Sequence, residues 1–212
     1  MIRNLILTVG PAHDYDQTAP VIANFLTRVG IESEVTKDFD VSETRGLGEF
    51  ELLTLSCTRV TYVAVPRWTE KWGFELSEGA RVEILRFLGA GKGLLALHAA
   101  SGCFDDWPEY PQTLEAWWEW HHSSHPPVQK LSMRVSAGAH PVVDGIEDFE
   151  IEDELFMNLK FTDRVTPLIE SDWEGASIPV VWTRSYGGGP VYYNGLGHGL
   201  EAVENPDLQR LV

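Results

Sequence analysis

The 212-residue sequence contains few cysteines, few cations and no long apolar run. Its two cysteines, Cys57 and Cys103, are too few for a disulfide framework and match no CxxC spacing, so a reducing compartment is expected. No stretch reaches the roughly 18 apolar residues of a membrane span, and no cleavage site follows the short apolar run after Met1. We therefore expect a cytoplasmic protein with no membrane partner.

Positive charge is scarce. Sixteen Lys and Arg stand against 32 Asp and Glu, which gives a formal net charge of −16 at pH 7. A chain of this charge without a Lys/Arg cluster repels phosphate backbones, so nucleic acid is not an expected partner. Apolar residues, in contrast, make up 43% of the chain, enough for a full core, and we expect one domain over residues 1–212.

Strand and helix patterns alternate along the first half of the chain. Residues 2–9 and 31–36 are strand-like, and residues 21–29 between them have apolar positions at helical spacing. This order implies a right-handed crossover and a parallel sheet. Further strands are expected over residues 51–56, 60–65, 93–97, 128–135, 149–151, 165–170, 180–183 and 191–195, and helices over residues 80–88 and 205–212.

Three histidines each follow a predicted strand closely: His13, His98 and His198. Because the carboxyl ends of parallel strands meet at one edge of a sheet, we expect these imidazoles to converge there, where they could bind a transition metal or exchange protons. His125 is a further possible donor. The alternative for each histidine is a structural residue held by hydrogen bonds.

Half of the eight tryptophans lie within fourteen residues, at positions 107, 117, 118 and 120. Their indoles could stack on sugar rings and form a carbohydrate pocket. Equally, they could form a small hydrophobic core that fixes the insertion over residues 103–127.

An acidic run and a run of three glycines occur in the second half of the chain. The acidic run, residues 147–154, is expected to be mainly a solvated surface, although one carboxylate of Asp153-Glu154 could turn inward as a base or ligand. The glycines, residues 187–189, are predicted to form a hairpin turn, because no strand-to-helix transition follows and the run contains no lysine.

Five segments of the chain resemble, in the same order, those of the ThuA-like (trehalose-utilisation) family. They are GKGLLALHAA (91–100), FDDWPEY (104–110), SSHPP (123–127), HPVVDGIEDFEIEDELF (140–156) and PVVWTRSYGGGPVYYNGLGH (179–198). The resemblance implies a flavodoxin-like, three-layer α/β/α sandwich with a mostly parallel sheet, as in class I glutamine amidotransferases. Those enzymes carry a nucleophilic cysteine at the turn after the central strand, where this chain has His98, so glutaminase activity is not expected.

The resemblance and the residue clusters together predict an enzyme acting on a trehalose-type disaccharide or an oxidised sugar, as a metal-assisted hydrolase, lyase or isomerase. A divalent metal such as zinc is the expected cofactor, and no nucleotide cofactor is expected. The alternatives are a non-catalytic carbohydrate-binding or regulatory module, and an assembly protein whose tryptophans form a homodimer interface. The residues expected to carry the function are His98, His198 and Glu154 in catalysis, His13, His98 and His198 as metal ligands, and Trp107, Asp106 and His125 in sugar binding.

Overall fold

The computed structural model describes residues 1–61, 66–136, 138, 140–163 and 165–212. Its elements, in chain order, are β1 (Ile2–Val9), α1 (Tyr15–Arg28), β2 (Ile31–Thr36), α2 (Val41–Thr44), β3 (Leu52–Cys57), α3 (Pro66–Trp72), α4 (Glu78–Gly89), β4 (Gly93–Leu97), α5 (Tyr110–Leu114), β5 (Ala116–Trp117), β6 (Gln129–Val135), β7 (Phe149–Asp153), β8 (Lys160–Phe161), β9 (Pro167–Trp173), β10 (Ala176–Tyr186), β11 (Gly189–Asn194), α6 (Leu200–Glu204) and α7 (Pro206–Leu211). Short 3₁₀ turns occupy His98–Gly102 and Pro141–Val143.

Nine of the strands form one sheet in the order β2-β1-β3-β4-β11-β10-β9-β6-β7. The pairings from β2 to β11 are all parallel. In this half the strands follow the 2-1-3-4-5 order of flavodoxin-like sheets, with β11 in the fifth place. The mixed α/β class predicted from the sequence is therefore confirmed.

The other half of the sheet is antiparallel, from β11 through β10, β9 and β6 to β7. The expected mostly parallel sheet is thus found in one half only. The change of direction occurs at the hairpin between β10 and β11, where Gly187 and Gly188 adopt φ values of +60° and +101°. Such a short turn returns the chain beside itself and cannot provide the crossover that a parallel neighbour needs.

Helices cover both faces of the parallel half. Side chains alternate along β1, so Leu5 and Leu7 share a core cluster with Ile84 of α4, whereas Ile6 belongs to a cluster with Ile22 of α1. The central strands are consequently buried on both faces, and their carboxyl ends are the part of the parallel sheet left open for a site.

The helices fit the sequence pattern with shifted bounds. The Ser77 hydroxyl accepts a hydrogen bond from the Ala80 N–H and caps α4, as predicted. Helix α1 begins at Tyr15, ahead of the predicted residues 21–29, because its first turn buries Tyr15 and Thr18 and not the aliphatic residues by which a helical pattern is recognised. Most of the strand predicted over residues 60–65 lies outside the described residues. Of the helices in the described ranges, none is long and apolar enough to cross a lipid bilayer.

Candidate metal and substrate site

Three histidines meet at the carboxyl edge of the parallel strands. His13 lies in the loop after β1, His98 directly after β4, and His198 in the loop after β11. Their ring centroids are 5.0 Å (His13 to His98), 4.7 Å (His13 to His198) and 5.5 Å (His98 to His198) apart. The structure thus brings together the three imidazoles that follow predicted strands.

His98 occupies the sharp turn after β4 in a left-handed backbone conformation, with φ at +45°. For a residue with a Cβ this conformation costs about 1–2 kcal/mol. The turn points the imidazole into the site, where it is 3% exposed. Backbone strain of this kind concentrates at functional positions.

Backbone carbonyls fix the tautomers of two of these rings. His98 Nδ1 lies 2.7 Å from the carbonyl oxygen of Gly195, and His13 Nδ1 lies 3.2 Å from that of Pro11. A carbonyl oxygen only accepts, so each Nδ1 carries the proton and each Nε2 presents a lone pair. Within the described part of the chain, these two Nε2 atoms are buried without a hydrogen-bond partner. Two such lone pairs at one point indicate a site for an electrophilic partner.

Glu154 completes the group from the end of β7. Its Oε2 lies 3.0 Å from His198 Nδ1 and 3.6 Å from His98 Nε2, and its Oε1 lies 3.1 Å from His125 Nδ1. One donor atom from each of His13, His98, Glu154 and His198 can be chosen so that all four lie within 4.8 Å of one another. Three imidazoles and one carboxylate are a donor set that suits zinc and other divalent first-row ions.

The protonation states favour metal binding at two of the four donors. Burial, reinforced by the neighbouring His98 and His198, lowers the pKa of His13 to about 3, so His13 is neutral at pH 7. Burial raises the pKa of Glu154, but the rings of His198 and His98 outweigh it and hold that pKa well below its usual range. The contact with Glu154 raises the pKa of His198, so a cation entering the site would compete with a proton there.

Asp153 supports the site from beneath, so that both carboxylates of the Asp153-Glu154 pair, and not one of them as expected, turn inward. Asp153 is 1% exposed, and its carboxylate accepts hydrogen bonds from the backbone N–H groups of Gly197 (2.6 Å) and His198 (3.0 Å). Burial raises its pKa. The signal that could have found it is the alternation along β7, in which Glu150 and Glu152 face solvent and every second residue is buried.

An aromatic cavity of about 230 Å³, called the inner cavity here, opens beside Glu154, His13 and His198. His125, expected to bind substrate, lines it together with a set of aromatic side chains: Trp68, Trp118, Trp120 and Phe156. Phe156 also packs against His98, with ring centroids 4.3 Å apart. Sequence reasoning missed Phe156, because an aromatic residue at the end of an acidic run carries no distinguishing pattern.

Two residues expected to contact sugar lie elsewhere. Trp107 is 2% exposed and packs against Phe104 and Tyr110 in the core, away from the inner cavity. The local cause is a tight turn, in which the Trp107 N–H donates to the carbonyl of Phe104 and directs the indole inward. Asp106 forms an ion pair with Arg81. Trp107 therefore does not line the inner cavity, where Trp118 and Trp120 lie, but it lines a second cavity beside it.

Comparisons with known proteins agree with this fold. The sequence model for trehalose utilisation (ThuA) matches residues 3–212. A ThuA-like protein from Parabacteroides merdae ATCC 43184 superposes with a TM-score of 0.81 at 19% identity, covering 99% of this chain and 86% of its own. A ThuA-like protein from Bacteroides uniformis ATCC 8492 superposes with a TM-score of 0.75 at 18% identity, covering 99% of this chain and 87% of its own.

The same fold occurs inside a larger enzyme. A beta-galactosidase from Rahnella sp. R3 matches 99% of this chain with 29% of its own, at a TM-score of 0.63 and 18% identity. At such identities the likeness concerns the fold alone. No curated protein matches the sequence closely enough to count as a relative.

Proposed function

The chain belongs to the trehalose-utilisation (ThuA) family, and from that premise we propose that it is a metal-assisted enzyme acting on a sugar. The observation that carries the proposal is the convergence of three imidazoles on the Glu154 carboxylate, with the Nε2 atoms of His13 and His98 buried and, among the described residues, without hydrogen-bond partners. This group opens into an aromatic cavity. The substrate class is a trehalose-type disaccharide or an oxidised sugar.

His13, His98, His198 and Glu154 are the residues that would hold the metal, and their donor set fits a divalent first-row ion. When bound, such an ion supplies Lewis acidity towards a hydroxyl or carbonyl oxygen of the sugar. The residues themselves hold fixed tautomers, since the carbonyls of Gly195 and Pro11 keep the protons of His98 and His13 on Nδ1.

Glu154 and His125 are the groups that can handle a proton. Glu154 Oε2 faces the histidines, whereas Oε1 faces His125, whose side chain is partly exposed at the inner cavity. A sugar hydroxyl in this cavity would lie beside both groups. The aromatic wall, with Trp118 and Phe156 in edge contact at 4.9 Å, offers flat faces to the C–H bonds of a sugar ring and excludes water from one side of it.

The proposed relation to class I glutamine amidotransferases concerns the flavodoxin-like half of the sheet and not their reaction. The turn after β4 carries His98, and the nearest thiol, Cys103, is 4% exposed with its sulfur 3.5 Å from that of Cys57. Burial raises the pKa of Cys57, which opposes thiolate formation at that residue. We expect no release of ammonia from glutamine. A turnover that Cys103→Ala abolishes would contradict this part of the proposal.

Elemental analysis of protein purified without chelator or metal-affinity steps tests the metal. We expect about one equivalent of a first-row divalent ion, and loss of most of it in His98→Asn and His198→Asn. His140→Asn is the matched control, because His140 lies outside the site, where its ring accepts a hydrogen bond from the Val142 N–H. Less than about 0.1 equivalent in the wild type after attempted reconstitution would overturn the metalloenzyme proposal.

A further inference from the structure

A second cavity of about 210 Å³, called the outer cavity here, adjoins the inner cavity. The two cavities share three lining residues, Gly102, Trp118 and Trp120. Trp118 is held in place at this shared wall, because its backbone N–H donates to the carbonyl of Ser101, in the 3₁₀ turn that begins at His98. The wall between the cavities is thus tied to the turn that positions a candidate metal ligand.

The outer cavity has the lining expected of a site for an uncharged polyol. Aromatic surface comes from four tryptophans, Trp107, Trp117, Trp118 and Trp120, and carboxylates come from Asp105 and Glu119. Among the described residues that line either cavity there is no lysine or arginine. A phosphorylated or acidic sugar would find no cation for its charge in the outer cavity, whereas hydroxyl groups can donate to a carboxylate.

Asp105 and Glu119 differ in how readily their carboxylates can accept hydrogen bonds from a ligand. Both oxygens of Asp105 receive hydrogen bonds from Thr61, one from its N–H (2.7 Å) and one from its hydroxyl (2.8 Å). Glu119 is 43% exposed in its side chain and has a Lys160 contact of 3.4 Å. Glu119 therefore has acceptor capacity left for a ligand, and Asp105 mainly shapes the wall.

Cavity size limits how much of a ligand each side can take. Neither cavity reaches the roughly 300 Å³ at which sites for drug-sized ligands begin, so each accommodates a group of about one sugar ring. We infer that the two cavities are adjacent subsites for a neutral disaccharide, with one ring beside the histidines and the other in the outer cavity. This inference rests on the proposed sugar-directed function and specifies its substrate as a neutral compound of two rings.

Gly102 lies where the link between the two rings would pass. A Cβ added to it would be 3.5 Å from the Trp118 Cβ, an ordinary contact that leaves little space for more atoms. Gly102→Ala should therefore be tolerated, whereas the longer side chain of Gly102→Leu would fill the junction. The alanine variant is thus the matched control for the leucine variant.

Isothermal titration calorimetry tests the inference, with glucose as the one-ring probe and trehalose, sucrose and cellobiose as the two-ring probes. We expect at least one disaccharide to bind the wild type about tenfold more tightly than glucose. Gly102→Leu should lower the affinity for that disaccharide to the level of the affinity for glucose, and Gly102→Ala should leave it unchanged. Trp117→Ala, which removes a wall of the outer cavity alone, provides a second variant if the leucine variant does not fold. It should lower the affinity for the disaccharide and leave the affinity for glucose unchanged.

Two failures can be told apart. If glucose binds as tightly as every disaccharide, and Trp117→Ala changes neither, the outer cavity is not a sugar subsite, although the proposed function stands. If neither glucose nor any disaccharide binds the wild type, the trehalose-type substrate of the proposed function is wrong and the inference fails with it. Tighter binding of glucose 6-phosphate or trehalose 6-phosphate than of the parent sugars would overturn the assignment to a neutral ligand.

Discussion

The Asp153 carboxylate holds the backbone of His198, accepting a hydrogen bond from its N–H at 3.0 Å. The two residues belong to parts of the sheet that are far apart in the strand order. Asp153 is the last residue of β7, at one edge of the sheet, and His198 follows β11, near the middle. Glu154 is the next residue after Asp153 and contacts the His198 ring. One buried carboxylate therefore fixes the separation between two candidate metal donors.

Replacing Asp153 by asparagine tests this relationship. The amide can accept at one oxygen only, and its NH₂ group would face a backbone N–H of Gly197 or His198. We expect a loss of about 1–3 kcal/mol in the free energy of unfolding and a metal affinity about 10–100-fold lower. Urea denaturation and metal titration measure the two effects. Glu152→Gln, on the exposed face of the same strand, should change neither. Unaltered metal affinity in Asp153→Asn would show that Asp153 does not position the site.

Stability of the metal-free protein should fall on mild acidification because of His13. Burial is the main cause that lowers its pKa to about 3, whereas the unfolded chain has a value of about 6.5. Below pH 6.5 the unfolded chain therefore binds a proton that the folded chain excludes, and the free energy of unfolding falls as pH falls. The raised pKa of His198 acts in the opposite direction, mainly above pH 6.5.

The measurement compares urea denaturation at pH 6.5 and 5.5 in chelator-treated protein. The wild type should lose about 1 kcal/mol more than His13→Gln over this interval. His122→Gln, a substitution at an exposed position, should behave like the wild type. Equal losses in the wild type and His13→Gln would mean that His13 takes up its proton in the folded state as readily as in the unfolded state.

The strained turn at His98 predicts an unusual order of stabilities. Both His98→Ala and His98→Gly remove the imidazole, but alanine retains a Cβ at a φ of +45° and glycine does not. We expect the glycine variant to be more stable than the alanine variant by about 1 kcal/mol. At the next residue the order should reverse, so that Ala99→Gly destabilises the protein by about 0.5–1 kcal/mol. An alanine variant at position 98 as stable as the glycine variant would show that the turn relaxes.

The strand ends are the part of the site that the sequence predicts well. His13, His98 and His198 could be placed together because parallel strands with continuous apolar patterns align their carboxyl ends. The position of Glu154 beside these histidines could not be predicted from the sequence. It depends on the order of the antiparallel half of the sheet, in which β7 lies four strands from β11, so that no local pattern reports its distance from His198.

The insertion over residues 103–127 was the least predictable segment. Its course depends on Phe104, Glu115 and His121, which adopt φ values of +53°, +64° and +67°. Turns of this kind are normally recognised by glycine or asparagine, and here the residues give no such signal. Without those turns the direction of each indole cannot be derived, so the sequence does not distinguish an indole at the inner cavity, as in Trp118, from one packed in the core, as in Trp107.

Alanine substitutions of Trp107 and Trp118, made one at a time, give the most direct test of the aromatic site. Trp107 is almost fully buried against Phe104 and Tyr110, so Trp107→Ala should reduce the free energy of unfolding by about 3–5 kcal/mol. Because Trp107 lines the outer cavity and not the inner one, the affinity for the one-ring sugar glucose should change less than about twofold. Urea denaturation and calorimetry measure the two quantities.

Trp118→Ala should affect sugar affinity more than stability, the opposite of Trp107→Ala. Its ring is half-buried and lines both cavities, in contact with Phe156 and His125. We expect sugar affinity to fall about tenfold or more, with a smaller loss of stability than in Trp107→Ala. If Trp107→Ala instead abolished the binding of glucose and kept its stability, the indole would have to leave the core to meet that ligand at the inner cavity. The aromatic wall would then form only on binding, and the two cavities would not be preformed subsites.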